Sequence, residues 1–293
     1  ELLYNRIPFS KILFMINLSL GVLSFMLLLH NSLQRNTPSP KAKTISRTAG
    51  TIFSVALYLA FIFHLAGYCL RWYIGGRVPL SNGYETMQFM ALCILLIACL
   101  LHRRFSFILP FGFLLSGFAL LVSYLGQMNP QITPLMPVLV SPWLSIHVSL
   151  IMMSYALLAF IMLNGILALC LRKKESENNV SGNDAVQDNR IEQLTLVSRL
   201  LLYPATLFLG AGIFLGAVWA NVSWGRYWAW DPKEVWALIT FLVYGVAFHS
   251  QSLRIFRKPL FFHIYMILAF LTVLMTYFGV NYVLGGMHSY ANS

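Results

Sequence analysis

"SPWLSIHVSLIMMSYALLAFIMLNGILALC" (Ser141–Cys170) decides the fold class. No Asp, Glu, Lys or Arg interrupts it. As a helix it would extend about 45 Å at 1.5 Å per residue, and the hydrocarbon core of a bilayer is only about 30 Å thick. A surface helix of a soluble protein needs a polar face, and this run has none. It therefore reads as a transmembrane helix over 144–171. Seven further runs of the same kind lie near 10–30, 51–72, 84–101, 107–125, 204–221, 233–253 and 259–284. "LHRRF" (Leu101–Phe105) joins the third span to the fourth as a tight turn. The fold class is an all-α polytopic membrane protein with about eight transmembrane helices. Composition agrees: 58% of the 293 residues are hydrophobic and 10% are charged, against roughly 25% charged in soluble domains.

Lys and Arg set the orientation, because cytoplasmic loops are enriched in them. One set of loops carries Arg35, Lys41, Lys43, Arg47, Arg103, Arg104, Arg172, Lys173, Lys174, Arg190, Arg199, Arg254, Arg257 and Lys258. The opposite face carries Arg6, Lys11, Arg71, Arg77, Arg226 and Lys233. The first set is read as cytoplasmic, which leaves both termini extracytoplasmic. This asymmetry accounts for most of the net charge of +11 and requires no nucleic-acid partner. The chain reads as one integral-membrane domain, 1–293, with a cytoplasmic linker over 172–199 and a Trp-rich outer loop over 219–236. Cys69, Cys93, Cys99 and Cys170 all lie in apolar runs and form no C-x-x-C pair, so they read as small hydrophobes.

The outer loop contains "WGRYWAWDPKEVW" (Trp224–Trp236). All seven tryptophans fall on the outer side: Trp72, Trp143, Trp219, Trp224, Trp228, Trp230 and Trp236. An aromatic belt would occupy both interfaces, so a one-sided set points to a site. "DPKE" predicts a helix start with Asp231 as N-cap, Pro232 at the first helical position and Glu234 closing a capping box. Trp224, Trp228, Trp230 and Trp236 then form a rigid apolar platform, with the cations Arg226 and Lys233 beside it. A large planar ligand bearing carboxylates suits such a platform. Haem has this character; quinones and lipid-linked sugars share it more loosely.

Two histidines lie on the same face. His147 sits in the first turn of the fifth span, in "SPWLSIHVSLIMMSYA"; His288 lies just beyond the last span, in "GVNYVLGGMHSYA". Two imidazoles flanking an aromatic platform are what six-coordinate haem iron requires. Pattern alone leaves an interfacial role and a ligand role both open for them. His249, near the cytoplasmic end of the seventh span, is an intramembrane ionisable residue and a functional candidate on that ground. His64 is similarly placed in the second span. His30, His102 and His263 read as interfacial.

At these residues the sequence resembles a known family. "WGRYWAWDPKEVWALI" resembles the tryptophan-rich signature, called WWD, of haem-handling proteins of cytochrome c maturation. Within them it is most similar to the CcsA family of system II. "GGRVPLSNGYETMQF" (Gly75–Phe89) resembles that family's loop between its second and third spans here. The two histidine segments resemble those holding its outer haem ligands. The likeness runs from about residue 50 onward.

The resemblance implies that His147 and His288 are the axial ligands of haem b at the outer face. It implies that the loop binds this haem through Trp224, Trp228, Trp230, Asp231 and Trp236, and that His249 matches a histidine holding haem within the membrane. It further implies a cytochrome c synthase that carries haem outward and joins it by thioether bonds to the C-x-x-C-H motif of apocytochrome c. The thiols come from that substrate. The expected partners are CcsB, separate or fused to this chain, apocytochrome c, and a thioredoxin-like protein that keeps the thiols reduced. The expected location is the bacterial inner membrane, or the thylakoid membrane in a plastid. Two other readings share parts of the pattern: a haem chaperone delivering to another synthase, and a transporter of a lipid-linked substrate.

Overall fold

The computed structural model describes residues 7–33, 40–125, 130–132, 141–177, 184–249 and 252–284. Their regular structure is helical throughout, and the chain falls into two compact units, Glu1–Leu135 and Met136–Ser293. Unit 1 contains α1 (Phe9–Leu33), α2 (Pro40–Gly75), α3 (Gly83–Leu101) and α4 (Ile108–Leu125). Unit 2 contains α5 (Pro142–Glu177), α6 (Asp184–Trp224), α7 (Pro232–Val246) and α8 (Pro259–Leu274), which passes directly into a π-helix, Met275–Leu284. Among the described residues, seven helices are long and apolar enough to cross a membrane, and the chain is a multi-pass membrane protein.

The seventh helix differs from expectation. The run 233–253 predicts a full span, whereas α7 has 15 residues, about 22 Å of rise, before Ala247–His249 tightens into a 3-10 turn. The polar residues that follow it, Ser252 and Arg254, suit a water-facing end. The linker expected over 172–199 is largely helical. α5 continues to Glu177 and α6 begins at Asp184, while 178–183 lies outside the described residues. Arg, Lys, Glu and Gln are good helix formers, so polarity there marks a change of solvent and not the end of a helix.

Close packing in unit 1 rests on small residues. A Cβ on Gly21 would lie 2.9 Å from Leu114, and one on Gly117 would lie 2.9 Å from Leu18. The two glycines let α1 and α4 approach reciprocally, as small residues do between membrane helices. Asn17 Nδ2 donates to Ser116 Oγ at 3.0 Å across the same seam, both side chains being fully buried.

In unit 2, α5 and α6 run antiparallel in a register marked by three side-chain bonds. His147 meets the Gly212 carbonyl at 2.7 Å, Ser154 Oγ donates to the Ala205 carbonyl at 2.7 Å, and Asn164 Nδ2 donates to Ser198 Oγ at 3.2 Å. Such interhelical bonds contribute about 0.6 kcal/mol each in a membrane, and their spacing fixes which residue faces which. Large apolar side chains such as Leu207 and Phe214 on α6 and Leu268 on α8 are exposed and suit a lipid-facing surface.

Candidate functional site

α6 ends at Trp224 because the next residue is glycine. Gly225 adopts φ +73° and its N–H donates to the Asn221 carbonyl at 2.8 Å, a left-handed stop that glycine takes without a Cβ penalty. Only 225–231 leaves the helices, so Trp219 and Trp224 lie on α6 and Trp236 on α7. The start of α7 is built as its sequence predicts. Asp231 accepts from Lys233 N at 3.0 Å, Pro232 opens the helix, and Glu234 reaches back to complete a capping box. Glu234 does more than cap: Oε2 accepts from Ala229 N at 2.8 Å and from Asp231 N at 3.2 Å. One carboxylate thereby closes the last turn of the loop onto the helix. Asp231 is buried beneath it.

The tryptophans form two edge-to-face pairs. Trp219, 2% exposed, meets Trp224 with ring centroids 4.9 Å apart at 64°. Trp228 meets Trp230 at 5.9 Å and 88°. Trp230 is 73% exposed and has φ +58°, a left-handed conformation that a bulky residue rarely holds. The exposed indole is therefore fixed by its backbone and not by burial. Arg226 is exposed on the loop. Lys233 Nζ donates to Asn281 Oδ1 at 2.9 Å, and burial lowers this amine to about 8, partly opposed by the nearby Asp231 carboxylate.

His147 is seated against α6. A backbone carbonyl only accepts, so the 2.7 Å contact with Gly212 O places a proton on Nδ1; in the neutral ring the lone pair is then on Nε2. This is the tautomer of a metal-binding imidazole, with its carbonyl partner fixing the ring. A Cβ on Gly216 would lie 2.8 Å from both Cε1 and Nδ1, so glycine is what makes room for the ring. Gly212, Gly216 and Trp219 recur at the spacing of one helix face. His147 thus shares a face of α6 with the buried Trp219. The signal for this seat was the small-residue pattern of "GAGIFLG" (Gly210–Gly216), which the sequence reading did not use.

The remaining histidines are placed as follows. His249 sits in the 3-10 turn at the opposite end of α7 from the loop, with an exposed side chain. His288 lies outside the described residues. His64 and His263, in membrane spans, are buried, and His102 is buried in the turn after α3. The interfacial reading of His102 and His263 missed their partners: His102 Nε2 is 2.9 Å from Tyr58 Oη, and His263 Nε2 is 2.9 Å from Thr195 Oγ1.

Unit 1 holds a second polar centre in the loop segment noted above. Glu85, 1% exposed, accepts from Arg71 Nε at 3.1 Å, Arg71 Nη2 at 2.9 Å, Arg77 Nη1 at 2.9 Å and Ser81 N at 2.9 Å. Arg71 also donates to the Pro130 carbonyl at 2.7 Å and stands over the Tyr84 ring at 5.0 Å. A carboxylate and guanidinium buried together this deeply need such complete bonding. The sequence counted Arg71 and Arg77 toward orientation and gave no sign that they meet Glu85.

Known proteins share this chain's sequence over much of its length. A family model described as Cytochrome C assembly protein matches residues 80–288. The chain is 38% identical over 239 residues to Protein NrfI of Wolinella succinogenes, covering 82% of this chain and 26% of that protein. It is 38% identical over 232 residues to the cytochrome c biogenesis protein CcsA of Chlamydomonas reinhardtii, covering 75% of this chain and 63% of that one. It is 31% identical over 310 residues to CcsA of a Prochlorococcus marinus strain, covering 93% of each. The chain thus spans about a quarter of the Wolinella relative and less than two thirds of the Chlamydomonas one. With the tryptophan loop lying inside the matched region, the chain belongs to the cytochrome c assembly proteins, in the CcsA family of cytochrome c biogenesis.

Proposed function

We propose that this chain binds haem b at the extracytoplasmic face of the membrane and presents it for covalent attachment to apocytochrome c, acting with CcsB. The observation that carries the reading is the seat of His147. Its ring is oriented by the Nδ1–Gly212 bond, on the helix face that also carries Trp219, so that the neutral imidazole offers Nε2 to iron. His288 is the second axial ligand in this reading. Trp224, Trp228, Trp230 and Trp236 cover the macrocycle, Asp231 holds their loop on α7, and Arg226 and Lys233 meet the carboxylates. Haem supplies the two vinyl groups. Each substrate thiol adds across one vinyl, its sulfur bonding one carbon and its hydrogen going to the other. This chain contributes position, not an acid–base pair. A thioredoxin-like protein keeps the substrate thiols reduced. His249, a whole helix away in the turn after α7, belongs to a separate haem position on the cytoplasmic side of the route.

His147→Ala tests the reading. Purified protein should show a changed or missing Soret band, co-expressed apocytochrome c should stay haem-free, and added imidazole should restore part of both. Normal maturation by His147→Ala combined with His288→Ala would overturn it.

A further inference from the structure

The last helix changes its winding where it packs against α7. Met275–Leu284 is a π-helix, continuous with α8. In α-helical geometry, residue i+5 lies about 140° round from residue i. A π-helix closes i→i+5 bonds and brings residue i+5 round to the same side as residue i. Thr276 and Asn281 are five apart, and both face α7. Thr276 Oγ1 lies 3.0 Å from Thr240 Oγ1 and 3.2 Å from the Trp236 carbonyl; Asn281 Oδ1 accepts from Lys233 Nζ at 2.9 Å. The α7 partners Lys233, Trp236 and Thr240 recur at one-face spacing. The wider winding therefore makes both contacts with one face of α7, which straight α-helix would not. Asn281 is itself held, its Nδ2 donating to the Tyr277 carbonyl at 2.6 Å.

We propose that Asn281, turned toward α7 by the π-helical register, is a positioning residue that holds the Lys233 ammonium where it receives a carboxylate of the ligand on the tryptophan loop. This rests on the haem reading and adds to it a determinant of specificity: the site selects the free acid of a porphyrin over its neutral ester. Lys has a flexible four-carbon stem, so a pinned ammonium meets an incoming carboxylate at lower entropic cost than a loose one. Asn281 touches no ligand in this arrangement; it acts through Lys233.

The test measures binding of zinc protoporphyrin IX and of its dimethyl ester to the full chain in detergent, by porphyrin fluorescence. Wild type should favour the free acid by about tenfold, the scale of one hydrogen bond to a charged group. Lys233→Met should remove most of the preference, leaving the part that Arg226 supplies. Asn281→Ala should lower it several-fold with ester affinity unchanged, and Asn281→Gln, which keeps the amide, should retain most of it. A purely structural role would weaken acid and ester alike. If Asn281→Ala does not reach the membrane, Asn281→Ser, too short to reach Nζ, is measured in its place with the same expectation. An unchanged preference in the Asn281 variants, or no preference in wild type, overturns the inference while leaving haem binding intact. Failure of wild type to bind either porphyrin overturns the haem reading and this inference with it.

Discussion

Gly216→Ala should disable the His147 position while leaving every proposed ligand in place. The new methyl would sit 2.8 Å from His147 Cε1 and Nδ1. Comfortable contact begins near 3.5 Å, so the ring must retreat by about 0.7 Å. That stretches the 2.7 Å bond to Gly212 O toward about 3.4 Å, past the usual range, and weakens it. The weakened bond costs about 0.5–1.5 kcal/mol, and overpacking of this kind typically costs about 1–3 kcal/mol. Replacing a mid-helix glycine returns about 1 kcal/mol through helix propensity. The net cost to the fold is therefore about 0.5–3.5 kcal/mol, so haem is scored per inserted, folded polypeptide. The displaced imidazole meets iron poorly, and a loss of 1.4 kcal/mol or more lowers haem retention by about tenfold or more. The assay is haem per polypeptide by pyridine haemochrome on solubilised protein, with the Soret position before and after imidazole. Gly245→Ala is the control, since nothing lies within 4 Å of a Cβ there. Wild-type occupancy and spectrum in Gly216→Ala would refute the argument that this glycine seats the ligand.

Other outcomes follow from the same geometry. Asp231→Ala should cost about 0.5–2 kcal/mol at the start of α7, lowering haem content more than membrane insertion; haem per inserted protein measures it. Glu85→Ala leaves Arg71, 2% exposed, without its carboxylate, and should cost about 3–5 kcal/mol, read as a lower unfolding temperature in detergent. Lys233 sits near 8, below its ordinary range, because burial penalises its charge. It is charged below that pH and must take up a proton to meet a carboxylate above it. Affinity for free-acid zinc protoporphyrin should thus fall as pH rises through 8, and Lys233→Met should flatten the profile. His249→Ala should deplete haem at the extracytoplasmic site without changing the spectrum of what remains there.

The loop was legible because its signals are local. A cap, a proline at the first helical position and a glutamate three residues after the cap are adjacent in sequence, and the structure forms all three. Uncharged runs likewise announce their helices. What stayed hidden is what depends on the far side of a contact. Gly212 and Gly216 look like ordinary small residues until His147, some sixty-five positions away, is laid against them. Arg71 and Glu85 lie in different helices, and single charges in a sequence do not say which of them meet. The π-helix was illegible for another reason: "MTYFGVNYVL" carries no residue that demands it, and its winding answers to α7. α7 was read too long because hydrophobicity reports burial or lipid equally, and neither dictates where a helix tightens into a 3-10 turn.

The double acceptance by Glu234 makes the end of the tryptophan loop a closed ring of chain, from Ala229 through Asp231 and back. Rings of this kind tolerate a change of side chain more readily than a change of length. One residue added between Ala229 and Glu234 would pull an amide off the carboxylate and release the strained backbone of Trp230. For anyone reshaping this surface toward a different flat ligand, the room for manoeuvre lies in the indoles themselves and in 225–228, on the α6 side. The segment 229–234 has to be kept to the residue, because its spacing is what aims Trp230.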